Sequence, residues 1–369
     1  MGNLPLGNFL YICTGFATYK YIIMTKIVKS PFQFGTLATK DNFIDRVEDR
    51  ALLKQLLSSH INTMLVSPRR WGKSSLVKMA MDELLAEDKS VRVCYIDGFS
   101  IGSEDEFYRV FASQVIACTS NKVERWISYA KSDKNTILQL PELLGKEKGL
   151  HIIVCIDEFQ QLANLPQYKD MEGKMRSAWQ QQEHVSYCFY GSKRTMMLEI
   201  FNNSNSPFYR FGQVIFMDKI AKEDWIPFIT SSFEKTGKKC SAEYASRICD
   251  IVECHSWYLQ QLCYFIWSYT DDEVDEDSYN RGLRQTLNIN TPMFQNDTEN
   301  LSQSQIEMLR AICNGETKLS SEDVKRRYSL GNPNTITKNK LALVKRDILD
   351  NDKGILTFVD PLYRIWLKG

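Results

Sequence analysis

Net charge is nearly absent from this chain: 46 lysines and arginines face 45 aspartates and glutamates. Nothing global steers it toward nucleic acid or an anionic membrane, so any such partner has to be met by a local patch. Paired cysteines are absent too. Ten cysteines (Cys13, Cys94, Cys118, Cys155, Cys188, Cys240, Cys249, Cys254, Cys263, Cys313) are scattered without any C-x-x-C spacing, and several lie in apolar runs such as Val93-Cys94-Tyr95. That argues against a zinc site or a disulfide framework, and for buried thiols in a reducing, cytoplasmic setting. The four histidines (His60, His151, His184, His255) show no ligand spacing, which argues against an imidazole metal site. No comfortable membrane span is visible: residues 9–24 are apolar but short and contain Lys20, and no membrane partner is expected. They also lack a basic leader and a clear cleavage site. A second start is available at Met24, so residues 1–23 read as a mis-assigned start or loose extension, and 1–30 are set apart from the domains. No internal repeat or low-complexity tract is present.

What is present is an ordinary globular balance, 43% apolar and 25% charged over 369 residues. That length suggests two or three domains. Short runs that are apolar throughout occur at 63–66, 91–96, 152–156, 187–190 and 214–217. Stretches of helical periodicity, such as 51–57, 76–85, 104–117 and 137–144, lie before and between them. Strands alternating with helices predict parallel βαβ units with both faces of the sheet covered. From 221 to about 290 the pattern is helical (225–233, 242–252, 257–269). Residues 271–277 form an acidic turn or helix start, and 288–298, polar and with a proline, read as a linker. The last part predicts a helix at 303–312, a second capped by Ser320 with Asp323, and a third at 335–349. A hairpin-like turn at 352–354 then leads into 355–359. Three helices and a β-wing are the order of a winged helix.

Two motifs carry chemistry. Ser67-Pro68-Arg69-Arg70-Trp71-Gly72-Lys73-Ser74 fits the spacing of a phosphate-binding loop, with serine where glycine is usual at the first position, and it stands where a strand passes into a helix. Backbone N–H groups and the helix dipole there favour phosphate. Lys73 would reach the β- and γ-phosphates, Ser74 would ligate Mg²⁺, and Ser75 would add a donor. The second motif, Ile152–Asp157–Glu158, is an apolar strand ending in two carboxylates. At the carboxyl edge of a parallel sheet, Asp157 would hold Mg²⁺ and Glu158 would act as general base.

With these motifs the chain resembles the prokaryotic P-loop ATPases known as the archaeal ATPase family, of the STAND type and related to AAA+ proteins. The resemblance rests on Pro31-Phe32-Gln33-Phe34-Gly35, Phe43-Ile44-Asp45-Arg46, Pro68–Ser75, Ile156-Asp157-Glu158 and the ending Phe358–Leu367. It implies ATP and Mg²⁺ as ligands and an α/β fold. The implied division is a P-loop NTPase core of parallel sheet at 31–220, a helical lid at 221–290 and a winged-helix domain at 291–369. It places Asp45 and Arg46 beside the nucleotide, and Ser192, after Gly191, at a sensor position, where a plain turn is the alternative. It gives Arg210 the family's arginine site, acting in cis or in trans from a neighbouring subunit, where a structural arginine is the alternative. The lid motif stands as His255-Ser256-Trp257-Tyr258-Leu259-Gln260, a departure from the usual His-Pro-Tyr. Arg69 and Arg70 could orient phosphate or pair with acids.

Residues 301–369 carry twelve basic and eight acidic side chains. Lys338, Lys340, Lys345 and Arg346 fall on the third predicted helix, the recognition position of a winged helix. The expected function is a Mg²⁺-dependent, ATP-hydrolysing switch. The alternative is an ATP-gated DNA-binding or loading protein, and a protein partner or a homo-oligomer is also compatible.

Overall fold

Five short apolar strands, β1 (Thr63–Val66), β2 (Val91–Asp97), β3 (His151–Asp157), β4 (Val185–Gly191) and β5 (Gln213–Phe216), build the centre of the molecule. The geometry comes from a computed structural model that describes residues 29–37, 43–44, 46–119, 133–352 and 354–369. The expected N-terminal extension up to residue 28, and Asp45, lie outside them. All pairings in this sheet are parallel, in the order β2-β3-β4-β1-β5.

Every residue of β1 and β4 is buried, because helices cover both faces and alternate side chains go to opposite layers. Leu65, Ile153, Cys155 and Cys188 pack with Leu53 and Leu57 of α1 (Val47–Ser58) and with Leu76, Val77 and Ala80 of α2 (Lys73–Glu87). Met64, Val66, Val154, Ile156 and Phe189 face the other layer, formed by α3 (Glu104–Thr119), α4 (Lys134–Lys148), α5 (Tyr168–Trp179) and α6 (Arg194–Asn202). The sequence pattern did not single out α5 or α6.

Register decides what meets at the sheet edge. Val66 pairs with Gly191, Ile156 with Phe189, and Asp97 with Asp157. The ends of β1, β4 and β3 therefore lie side by side at the carboxyl edge. With β4 between them, β1 and β3 are about 10 Å apart, two strand spacings.

After β5 the chain is helical: α7 (Lys222–Glu234), α8 (Ala242–Ile251), α9 (Ser256–Tyr269) and α10 (Glu276–Glu299). The acidic run does form a turn and helix start, with Asp275 and Ser278 making a capping box. The linker expected at 288–298 is overturned, since those residues are the second half of α10. Their polar side chains are satisfied within the helix. Asn290, Thr291 and Thr298 donate to the carbonyls of Thr286, Leu287 and Phe294 at 2.7–2.9 Å, while Phe294 is fully buried. Tertiary burial holds the helix through Pro292 despite its missing N–H.

The C-terminal part runs α11 (Gln303–Cys313), α12 (Glu322–Arg327), α13 (Pro333–Lys345), the antiparallel pair β6 (Leu349–Asp352) and β7 (Ile355–Phe358), then α14 (Pro361–Lys368). This is a winged helix, with three local corrections. Ser321, not Ser320, caps α12 through Val324 N–H. Asn332 and Pro333 start α13 two residues earlier than expected. The same helix ends at Lys345, and Leu349 opens β6 instead of closing a helix. Helices α7–α10 and the winged helix share one apolar core, in which the Phe294 ring of α10 and the Tyr363 ring of α14 are 5.4 Å apart. No helix among the described residues is long and apolar enough to cross a membrane. The nine described cysteines are free thiols, six of them buried.

Candidate active site

The loop between β1 and α2 turns on two left-handed residues, Arg70 (φ 65°) and Gly72 (φ 91°). Glycine is needed at 72, the cap of α2, where a Cβ would strain the backbone. Ser67 is outside that region, so the serine-for-glycine departure costs no backbone strain. It is fully buried; its N–H donates to the Gly191 carbonyl at 3.3 Å and its hydroxyl to the Pro68 carbonyl at 3.1 Å. Arg46 braces the loop from outside: its guanidinium donates to the Trp71 and Asp218 carbonyls and pairs with Asp49.

The two motifs converge. Lys73, the first residue of α2, places Nζ 2.5 Å from Glu158 Oε1 and 3.5 Å from Asp157 Oδ1. Ser74 Oγ donates to Asp157 Oδ2 at 2.7 Å. Ser192 Oγ donates to Glu158 Oε2 at 2.8 Å, and Gln160 Nε2 to the same oxygen at 2.5 Å. Arg69 Nε reaches Ser192 Oγ at 3.4 Å. Glu158 itself has a left-handed backbone (φ 47°), held because the next residue, Phe159, is fully buried against Phe189 with ring centroids 4.4 Å apart. Such strain persists where the surroundings over-determine it.

Burial pushes the Asp157 carboxyl up, outweighing the Lys73 charge and the Ser74 hydrogen bond. Burial also works to raise Glu158, but the Lys73 charge and hydrogen bond, with those of Ser192 and Gln160, outweigh it and leave the carboxyl below its ordinary value. Glu158 is therefore ionised at neutral pH. Gly191 makes room for this network: a Cβ there would lie 1.9 Å from Gln160 Oε1.

Beside the loop is a cavity of about 400 Å³. Its lining includes Gln33–Leu37, Phe43, Ile44, Arg46, residues 70–75, Trp225, Trp257 and Gln260. Gln260 Oε1 accepts from Gln33 N–H at 3.2 Å, tying the N-terminal segment to α9. The Trp71 indole N–H is buried and has no protein partner among the described residues. Arg70 Nη1 donates to Tyr258 OH at 3.1 Å, and its guanidinium lies 5.2 Å from the Trp257 ring centroid. Tyr258 OH donates in turn to Asp360 Oδ2, the cap of α14. His255, 3% exposed, lines one cavity with Arg69 and Arg70 of the loop. The departed lid motif thus still touches the loop.

Among the candidates, Lys73, Ser74, Asp157, Glu158, Ser192 and Arg69 meet at one place, and Arg46, Trp71 and Gly72 stand around it. Arg210 does not. It is exposed, over the Tyr209 ring, three residues before Gln213, which pairs with Thr63 at the start of β1. That is the amino edge of the sheet, about 13 Å of strand from the phosphate loop. Gln160 and Trp225 were not anticipated as site residues, and Trp257 and Gln260 only as members of the lid motif; the acid–acid–x–Gln spacing is the signal that could have pointed to Gln160.

A sequence model described as an ATPase domain predominantly from Archaea matches residues 43–262, more than half of the chain, and one described as a probable winged helix domain matches 292–369. A comparison with curated proteins finds no match. Among solved structures, a Walker-type ATPase of Pyrococcus abyssi is similar at TM-score 0.70 and 17% identity, over 89% of this chain and 97% of that one. The ORC2 protein of Aeropyrum pernix, solved with ADPNP and ADP, is similar at TM-score 0.63 and 12% identity, over 91% and 96%. The ORC1 protein of the same organism, in complex with DNA, gives 0.52 and 12%, over 88% and 92%. These likenesses concern the fold.

Proposed function

The chain belongs to the family of ATPase domains found predominantly in Archaea, and on that premise we propose that it binds ATP with Mg²⁺, hydrolyses it, and uses the cycle as a conformational switch. The observation that carries this is the meeting of Lys73 and Ser74 with Asp157 and Glu158 at one sheet edge.

The adenosine is assigned to the 400 Å³ cavity, where Phe34, Phe43, Ile44, Trp225 and Trp257 offer apolar walls and Gln33, Thr36 and Gln260 offer polar groups. The phosphates lie along residues 67–75, on the N–H groups that open α2. Lys73 exchanges Glu158 for phosphate oxygens. Ser74 and Asp157, two hard oxygen donors already 2.7 Å apart, suit Mg²⁺; the ion when bound supplies positive charge to the β- and γ-phosphates. Glu158, ionised and oriented by Gln160 and Ser192, holds the attacking water and takes its proton as the bond to ADP breaks. Replacing Glu158 by Gln is expected to keep ATP binding and stop turnover; unchanged hydrolysis would remove it from this role.

The Arg70–Tyr258–Asp360 chain supports the switch: it runs from phosphate loop through lid to winged helix, so a shift at the loop is felt at α14. We keep 31–220, 221–290 and 291–369 as the working division into core, lid and winged helix. Arg210 serves a site only across a contact with a second copy, given its place at the amino edge.

A second reading is ATP-gated duplex binding by the winged helix. It is favoured by Lys338, Lys340 and Lys345, which have no ion-pair partner within 4.0 Å among the described residues. Arg346 is occupied instead, donating to the Asn300 carbonyl at 2.5 Å.

A further inference from the structure

Arg69 and Arg70 are neighbours in sequence with different partners. The left-handed backbone at Arg70 turns the chain between them. The Arg70 side chain goes to Tyr258 and Trp257 of the lid. Arg69 places its Nε 3.4 Å from Ser192 Oγ, and that same hydroxyl donates to Glu158 Oε2 at 2.8 Å. The serine therefore fixes the guanidinium relative to the base. Arg69 is exposed, and among the described residues no carboxylate lies within 4.0 Å of its guanidinium. Both arginines and Asp347 of the winged helix line a cavity of about 480 Å³. Arg210, the other candidate cation, is at the amino edge of the sheet.

We propose that Arg69 is a catalytic residue acting within its own chain, its guanidinium contacting the γ-phosphate beside Ser192 and stabilising charge on the transferring phosphoryl group. This rests on the hydrolysis proposed above. The chemistry suits the residue. Guanidinium stays protonated and offers several donors in a planar fork, which matches the equatorial phosphoryl oxygens. One donor (Nε) faces Ser192, and Nη1 and Nη2 remain for phosphate. Arg70, committed to the lid, has no such role, so adjacent arginines divide into a chemical one and a conformational one.

The test uses the full chain with Arg69→Ala, Arg69→Lys and Glu158→Gln. ADP and ATPγS binding are followed by titration calorimetry, and Mg·ATP turnover by phosphate release. Arg69→Ala is expected to lower kcat about a hundredfold or more. It should weaken ATPγS binding about tenfold, as loss of one charge-assisted contact would, while ADP affinity stays unchanged and Arg69→Lys recovers part of both losses. A mixture of Arg69→Ala with Glu158→Gln is expected to remain inactive. Recovery of activity on mixing would show that Arg69 serves a neighbouring chain and overturn the proposal. Equal weakening of ADP and ATPγS would overturn it too, by reducing Arg69 to a support of the loop. A wild-type chain that binds ATP without hydrolysing it would remove the underlying function instead; the ATPγS-to-ADP ratio would still report the γ-phosphate contact by itself.

Discussion

Lys73 Nζ lies 2.5 Å from Glu158 Oε1, although 85 positions separate the two residues in the chain. The contact follows from strand order: β1 delivers one partner, β3 the other, and β4 between them contributes Ser192 to the same carboxylate. A lysine shared by two half-buried carboxylates is poised to change partners when a more highly charged anion arrives.

Removing that lysine should therefore act on phosphate binding first. Lys73→Ala is expected to cost about 2–3 kcal/mol of Mg·ATP affinity, the size of a hydrogen bond to a charged group. Titration calorimetry reads this directly, and an affinity equal to wild type would place the phosphates elsewhere.

Gly191→Ala should damage catalysis without touching a charged group. The new methyl would fall 1.9 Å from Gln160 Oε1 and 2.9 Å from Met197 Sδ. Gln160 must then withdraw from Glu158, where its bond is now 2.5 Å. A drop in kcat of about tenfold or more is expected, with ADP affinity retained. Full activity in this variant would mean that Gln160 does not orient the base.

The link from loop to winged helix can be cut at one atom. Tyr258→Phe deletes the hydroxyl that joins Arg70 to Asp360. A stability loss of about 1 kcal/mol is expected for the hydrogen bonds removed, together with faster hydrogen exchange in α14. Asp360→Asn is the milder control, since asparagine still caps a helix.

Acid should loosen the lid through His255. Burial, with Lys219 and Arg70 nearby, lowers its imidazole from 6.5 to about 3. Between those values the unfolded chain binds a proton that the folded chain refuses, so stability is lost as pH falls below 6.5. At pH 5.5 the loss amounts to about 1.4 kcal/mol. Urea titrations of wild type and His255→Gln at pH 7.5 and 5.5 measure it; the variant is expected to show the smaller difference.

If the winged helix holds duplex DNA, its affinity should fall steeply with salt, and Lys338→Glu with Lys345→Glu should weaken it further and flatten the salt slope. Fluorescence anisotropy at several salt concentrations checks this. Salt-independent binding, or none, leaves α13 to a protein partner.

Much of this was legible in sequence because the relevant signals are local. Strand runs that are apolar throughout announce a sheet covered on both faces, and Gly72-Lys73-Ser74 and Asp157-Glu158 mark two strand ends. What was hidden depends on tertiary context. Residues 288–298 look like a linker until their polar side chains are seen bonding to their own helix. Gln160 and Gln260 are ordinary glutamines until register brings them to Glu158 and Gln33. The different partners of Arg69 and Arg70 turn on one left-handed residue, which composition does not reveal. Arg210 was given the family's arginine site by resemblance, in cis or in trans, with a structural arginine as the alternative, and strand direction places it at the amino edge of its own sheet.

The most direct measurement is Mg·ATP binding and turnover by wild type and Glu158→Gln side by side. The expected result is equal or tighter binding by the variant, with turnover reduced at least a hundredfold, in the range of a general base. Undiminished turnover in Glu158→Gln, or loss of binding with no separate effect on chemistry, would contradict an active site built where β1 and β3 end.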